Sequence, residues 1–240
     1  MTDSLRFLLS FRALALALLT ALAAAGCATR PSPAPRALLA TNLPFAKEIN
    51  AFVEADRTNP PPKNATLFIG SSSIRLWKTL AQDFPRHRAI NRGFGGSQII
   101  DSVNYADRIV IPYRPRRIVM YAGGNDINAG KSPQQVLADF QAFVRKVRAV
   151  LPNTEIAYIS IAPNPARWSQ VDKVREANAL ISDYTRQQHR LSFINVFPHM
   201  LGADGLPRPE IFVADRLHMN AKGYELWKQI VGAYLDKRAR

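Results

Sequence analysis

A single cysteine, Cys27, occurs in 240 residues, so no disulfide can form within the chain. Histidine is nearly as scarce. His87, His189, His199 and His218 are scattered, and none lies at metal-ligand spacing from another, so neither a metal nor another cofactor is expected. Acidic residues are also few: 18 Asp and Glu stand against 32 Lys and Arg, a formal charge of +14. Such an excess points to nucleic acid or to an anionic surface. The cations never form a block of five and are not interleaved with aromatic residues, so nucleic acid is not an expected partner. The excess reads as a solvated face, with attraction to anionic headgroups or acidic polymers as a secondary effect. Internal repeats are absent.

Long apolar runs are missing too. The most apolar stretch, Ala13–Ala25, is almost entirely Ala and Leu. It falls short of the roughly 20 residues that span a bilayer. Arg6 and Arg12 precede it and Ala24-Ala25-Gly26-Cys27 closes it, which is the layout of a secretory signal. It resembles the bacterial lipoprotein signal, in which the cysteine becomes the lipidated first residue, although Ala24 stands where Leu is commonest. Residues 1–26 are therefore expected to be a signal peptide and Cys27 a lipidation site; ordinary cleavage with a free thiol is the alternative. Arg30-Pro31-Ser32-Pro33-Ala34-Pro35-Arg36 makes residues 27–44 a semi-rigid Pro-rich tether. The resemblance implies export and anchoring to the bacterial cell envelope through the lipid on Cys27, at the periplasmic face of the outer membrane.

Residues 45–240 are long enough for one domain with a real core. Phe45, Ile49, Phe52 and Val53 share a helical face, which predicts a packing helix over Phe45–Ala55. Short apolar runs predict strands at Thr66–Ile69, Ala89–Asn91, Arg117–Tyr121, Glu155–Ile161 and Ser192–Val196. Between them lie helical patterns: one over Ile74–Trp77, one from Gln98, one opened by Ser132-Pro133, one from Trp168 to Tyr184. A last helix begins near Asn220, with Tyr224, Trp227, Ile230 or Val231, and Tyr234 on its packing face. Alternating strands and helices specify a parallel sheet covered on both faces, a three-layer α/β/α sandwich. Five strands fit the doubly wound order 2-1-3-4-5, whose crevice opens between strands one and three. That order brings Ser71–Ser73 and Gly123-Gly124-Asn125-Asp126 to one strand-end crevice.

A serine nucleophile needs a base, a carboxylate that orients the base, and donors for the developing oxyanion. Asp215-Arg216-Leu217-His218 supplies an acid and an imidazole three apart; Gly95-Gly96 and Asn125 supply candidate donors. Each has an ordinary structural role when taken singly, and Ser71–Ser73 could simply cap a helix. Together they resemble the four signature blocks of the SGNH, or GDSL-type, hydrolases. The nucleophile block reads as Gly70-Ser71-Ser72-Ser73, the glycine block as Gly93-Phe94-Gly95-Gly96-Ser97, the third as Gly123-Gly124-Asn125-Asp126, and the last as Asp215 to His218.

The resemblance covers about residues 64–235 and implies a catalytic set of Ser72, His218 and Asp215. It implies an oxyanion hole formed by Ser72, Gly96 and Asn125. Ser71 and Ser73 replace the Asp and Leu usual beside the nucleophile, which leaves Ser71 as the alternative to Ser72. The second glycine of a G-x-S-x-G elbow is absent, so the α/β-hydrolase fold is rejected. The activity implied is ester hydrolysis on short-chain or acetyl esters, carried by a small molecule, polysaccharide or lipid. Lysophospholipid or thioester hydrolysis is one alternative; an inactive polysaccharide-binding lipoprotein is another. Leu201–Phe212 and Pro163–Gln170, with Trp168, are expected to shape the pocket.

Overall fold

Every residue of the first and third strands is buried, which is why both read as near-continuous apolar runs. The computed structural model describes residues 43–237. The expected signal peptide, Cys27 and nearly all of the tether lie outside the described residues. Five parallel strands, β1 (Thr66–Gly70), β2 (Ala89–Gly93), β3 (Arg117–Tyr121), β4 (Glu155–Ile159) and β5 (Leu191–Ile194), lie in the order β2-β1-β3-β4-β5. Leu67 stands opposite Ile90 on one side and Ile118 on the other, and Gly70 opposite Gly93 and Tyr121. The helices are α1 (Ala46–Thr58), α2 (Ser72–Arg75), α3 (Leu80–Asp83), α4 (Ile99–Ile109), α5 (Gly124–Asn128), α6 (Pro133–Val150), α7 (Val171–Arg186) and α8 (Ala221–Lys237).

Alternation along the strands builds two cores. Leu67, Ile69, Ile118, Met120, Ile156 and Tyr158 face the layer of α1, α4, α6 and α7. Phe68, Val119, Tyr121, Ala157 and Ile159 face α8 and the short helices after β1. The stripe Val136, Phe140, Phe143, Val144 and Val147 on α6 is buried as its spacing predicts. A reciprocal cap starts that helix: Ser132 Oγ accepts from Gln135 N at 3.2 Å, and Gln135 Oε1 accepts from Ser132 N at 2.8 Å. On the other face, Trp77 and Trp227 are fully covered and their rings stand 6.0 Å apart; Tyr121 meets Trp227 edge-on at 4.7 Å. This aromatic block lies under the end of β3.

Several boundaries differ from the expectations. The segment over Ile74–Trp77 is one helical turn from Ser72 to Arg75, because Asn91 Nδ2 donates to Ile74 O at 2.6 Å and the chain turns away. Strand β2 runs two residues further, to Gly93, paired with Gly70 to the end of β1. Strand β4 stops at Ile159, short of the expected Ile161. The Asn178 amide takes over there: its Oδ1 accepts from Ile161 N at 2.8 Å and its Nδ2 donates to Ile161 O at 2.9 Å. Strand β5 is shifted to Leu191–Ile194, and Val196 N donates to Ser160 Oγ at 3.0 Å instead of to a strand. Helix α1 begins at Ala46 and runs on to Thr58, and Phe45 precedes it in a left-handed conformation with φ 66°. Trp168 lies in a 3-10 segment, Pro165–Gln170, ahead of α7. On α8 it is Val231 that is fully buried, with Trp227 and Leu235.

Gly70 is the point on which the strand-end geometry turns. Its φ is 135°, and a Cβ there would stand 1.8 Å from Tyr121 O. Only glycine lets β1 and β3 end side by side.

Replacing Asn178 by Ala strands a buried N–H and a buried C=O on Ile161, at a cost of about 3 kcal/mol. Urea unfolding should show a lower midpoint with an unchanged m-value; an unchanged midpoint would mean that the amide does not terminate the strand.

Candidate active site

The sheet places four segments at the carboxyl ends of β1, β2 and β3 and at the approach to α8. Ser71 leaves β1 with its N–H donated to Tyr121 O at 2.9 Å. Its carbonyl accepts from Ile74 N and Arg75 N, both at 3.1 Å, which starts α2, while its side chain makes no cap bond. Ser72 is the first residue of that turn, so its N–H is one of the donors a helix start leaves without an internal partner. A Cβ at Gly93 would come within 2.3 Å of Arg75 N, so glycine there lets α2 rest on the end of β2.

Of the three adjacent serines, it is Ser72 whose Oγ lies 2.9 Å from His218 Nε2. His218 Nδ1 stands 2.6 Å from Asp215 Oδ2. The other carboxylate oxygen, Oδ1, accepts from Leu217 N and His218 N, both at 2.9 Å. An Asx-type turn therefore holds the acid and the imidazole at a spacing of three residues. Two backbone donors and the ring hold the Asp215 carboxyl down at about 2. The carboxylate fixes the tautomer with the proton on Nδ1 and leaves Nε2 to accept from the Ser72 hydroxyl.

The loop is stitched to α8. Asn220 Oδ1 accepts from Lys222 N at 2.9 Å and Gly223 N at 3.2 Å, and Asn220 Nδ2 donates to Phe212 O at 3.0 Å. On α8 itself, Tyr224 donates its hydroxyl to Ser73 O at 3.0 Å, so the helix that carries the histidine loop also grips the serine turn.

Gly96 lies exposed at φ 82°, in the turn that follows β2. Asn125 Nδ2 donates to Ser97 O at 3.0 Å, which ties that turn to the end of β3. One N–H of the Asn125 amide is spent on this bond; the second remains.

Two side chains escaped the sequence reading. Asp126, fully buried, accepts from Ile99 N at 3.2 Å through each oxygen and from Lys131 Nζ at 2.9 Å, so it ties the α4 start to α5. Burial pushes its carboxyl up, with Lys131 pulling it back. Its place beside Asn125 in a signature block, five before a lysine, was the available signal. Arg167 donates through Nη1 to Asn125 Oδ1 at 3.0 Å and to Gly124 O at 3.2 Å. No spacing announces it. A guanidinium only donates and a carbonyl only accepts, so Arg167 and Ser97 O together fix which end of the Asn125 amide is which.

The cleft is lined by the three serines, Tyr121, Asn125, Pro163, Arg167, His218 and Trp227, among others. Of the two segments expected to shape it, Pro163–Gln170 contributes Pro163, Asn164 and Arg167, and Leu201–Phe212 contributes only Phe212. Trp168 turns elsewhere, with the Arg175 guanidinium 5.7 Å from its ring centre. Among the described residues, no three His, Cys, Asp or Glu side chains gather as metal ligands.

This geometry defines a hydrolase-type strand-end site on a doubly wound sheet. The model of the GDSL-like lipase/acylhydrolase family matches residues 69–226. The chain belongs to that family of ester-bond hydrolases. Among curated proteins nothing matches the chain. A GDSL-like lipase from Bacteroides thetaiotaomicron has a similar structure: TM-score 0.69, 18% identity, covering 79% of this chain and 98% of its own. An acetyl esterase mutant with an acetate ion gives 0.58 at 16% identity, over 72% of this chain and 97% of its own. A carbohydrate esterase of family 3 from Talaromyces cellulolyticus gives 0.58 at 15%, over 72% and 97%. At such identities the likeness shows the fold.

Two outcomes follow from the site. Replacing Arg167 by Met frees the Asn125 amide of a charge-assisted bond and should lower kcat for a soluble ester about ten- to hundredfold, with KM little changed; a change confined to KM would contradict that. Because the folded Asp215 carboxyl is held below its ordinary value, it stays ionised until the pH falls through about 2, and only there are its bonds to the loop lost. Carboxyl 13C NMR should show one Asp titrating near that pH and missing in Asp215→Asn; a resonance titrating near 3.8 would overturn it.

Proposed function

We propose that the protein is a serine esterase that passes an acyl group to water through an acyl-enzyme on Ser72. The observation that carries this reading is the unbroken relay from Asp215 Oδ2 through both ring nitrogens of His218 to Ser72 Oγ, at 2.6 and 2.9 Å. In the first half, Ser72 Oγ attacks the ester carbonyl as its proton passes to His218 Nε2. Asp215 stabilises the imidazolium without taking the proton. The oxyanion collapses, the C–O bond to the alcohol breaks, and the alcohol leaves with the proton from Nε2. In the second half, water gives a proton to Nε2 and attacks the acyl-serine. The acid departs and Ser72 recovers its hydrogen.

The N–H groups of Ser72 and Gly96 and the remaining N–H of Asn125 serve as the oxyanion donors. Asn125→Ala should cost about 10²–10³ in turnover. The substrate assigned is a short-chain or acetyl ester. The hollow beside Ser72 is small, about 40 Å³, and Tyr121, Met200, Phe212 and Trp227 are among the apolar side chains that line it. The acetyl esterase and carbohydrate esterase among the similar folds agree with this choice. The cell-envelope setting rests on the sequence of Arg6–Cys27 alone.

A fluorophosphonate probe should label the wild type and Ser71→Ala but not Ser72→Ala; labelling of Ser72→Ala would move the nucleophile or remove the mechanism. With p-nitrophenyl esters, kcat/KM should fall at least about tenfold from acetyl to octanoyl. A rise with chain length would favour the lysophospholipase or thioesterase reading.

A further inference from the structure

All five strands begin at one edge of the sheet, the edge opposite the Ser72 cleft, and that edge is built in an unusual way. Four of the five strands are preceded, within three residues, by a residue in the left-handed region: Asn64 (φ 55°), Arg88 (50°), Arg114 (46°) and Arg190 (57°). Glycine and asparagine adopt that conformation most cheaply. Asn64 follows the rule. At three turns on this one edge the chain instead carries arginine, and a backbone cost accepted repeatedly where a cheaper residue exists points to a use for the side chain.

Lys63, Arg86 and Arg116 join these three arginines, and all six are exposed. Arg86 is paired: it donates to both oxygens of Asp236 at 3.1 Å, and His87 Nε2 lies 3.0 Å from one of them. Among the described residues, no carboxylate stands within salt-bridge distance of the other five. Arg88 and Arg190 instead donate to the carbonyls of Lys63 (3.1 Å) and Asn153 (3.3 Å). Arg86, Arg88 and Arg116 line a hollow of about 350 Å³, with Asp236, the partner of Arg86, as its one carboxylate. A neighbouring hollow shares Asn64 and Arg116 and adds Arg114 and Val150, an apolar side chain left 50% exposed.

We infer that this strand-start edge is a docking face for an anionic phospholipid bilayer. Five strands at about 4.8 Å spacing spread the cations over roughly 20 Å, a breadth that meets several headgroups at once. Val150 supplies an apolar contact among them. Docked this way, the chain turns the Ser72 cleft away from the bilayer, toward esters in the aqueous phase. The inference does not depend on the role of Ser72.

The test uses the full chain carrying Cys27→Ser, which cannot be lipidated, and reads sedimentation with vesicles. Pure phosphatidylcholine is compared with phosphatidylcholine containing about a third phosphatidylglycerol. Binding should favour the anionic vesicles at least tenfold and should fade between 0.1 and 0.5 M salt. Adding Arg88→Asn, Arg114→Asn and Arg190→Asn should remove about fivefold per residue, roughly a hundredfold in all. The same triple variant should melt no lower than its parent, because asparagine suits the left-handed turns, and should hydrolyse p-nitrophenyl acetate at the parent rate. Equal binding to both vesicles, or unchanged binding by the triple variant, would overturn the inference. A markedly lower melting point would overturn it too, since the arginines would then serve the fold. Retention on an acidic polysaccharide without preference for anionic vesicles would replace the bilayer as partner and equally overturn it.

Discussion

The hydrogen bond from Ser72 Oγ to His218 Nε2 joins residues 146 apart in sequence, and most of the molecule can be understood as the scaffold that makes it short. One end is set by the sheet. The left-handed Gly70 ends β1 against Tyr121, Ser71 N locks onto the Tyr121 carbonyl, and the serine follows at the first position of a single helical turn. The other end is set by α8, anchored by Trp227, Val231 and Leu235 in the core and capped by Asn220 at its start. Tyr224 crosses from that helix to Ser73, so both partners of the bond are held by one rigid element. A site placed on element ends in this way keeps its geometry without the site residues themselves being deeply buried.

The proposed oxyanion side, around Asn125, is held by polarity instead of packing. Asn125 is held between a group that only donates and one that only accepts, Arg167 and the Ser97 carbonyl. Asp126, next in sequence, holds the start of α4 and with it the loop of Gly96. Two neighbouring residues thus tie β3 to the loop after β2. The two edges of the sheet divide the labour: the strand ends gather the titratable relay, and the strand starts gather cations with few acids beside them.

Much of this was legible in the sequence because strand-length apolar runs and helical stripes follow from the periods of the two elements. The order of five strands and the buried face of α6 belong to that layer, whereas the set of Ser72, Asp215 and His218 is implied by the resemblance of four short blocks to the GDSL-type hydrolases. What escaped depends on single side chains acting across the fold. Asn178 ends β4 from a helix 17 residues away, and Asn91 cuts short the turn that carries Ser72. Neither has a local signal, because asparagine serves equally in loops and caps. Arg167 lies in a segment expected to shape the cleft, but it is the guanidinium and not the bulky Trp168 beside it that reaches the site, and no residue pattern distinguishes the two. The left-handed arginines were hidden for the opposite reason: a residue type that does not mark turns gives no sign that a turn is there.

The most direct test of the account is a crystal structure of the enzyme after reaction with a small phosphonate. The account predicts phosphorus bonded to Ser72 Oγ, His218 Nε2 within hydrogen-bond reach of that oxygen, and the phosphonyl oxygen about 3 Å from the nitrogens of Gly96 and the Asn125 amide. An adduct on Ser71, or a phosphonyl oxygen turned to solvent with neither donor beside it, would contradict it.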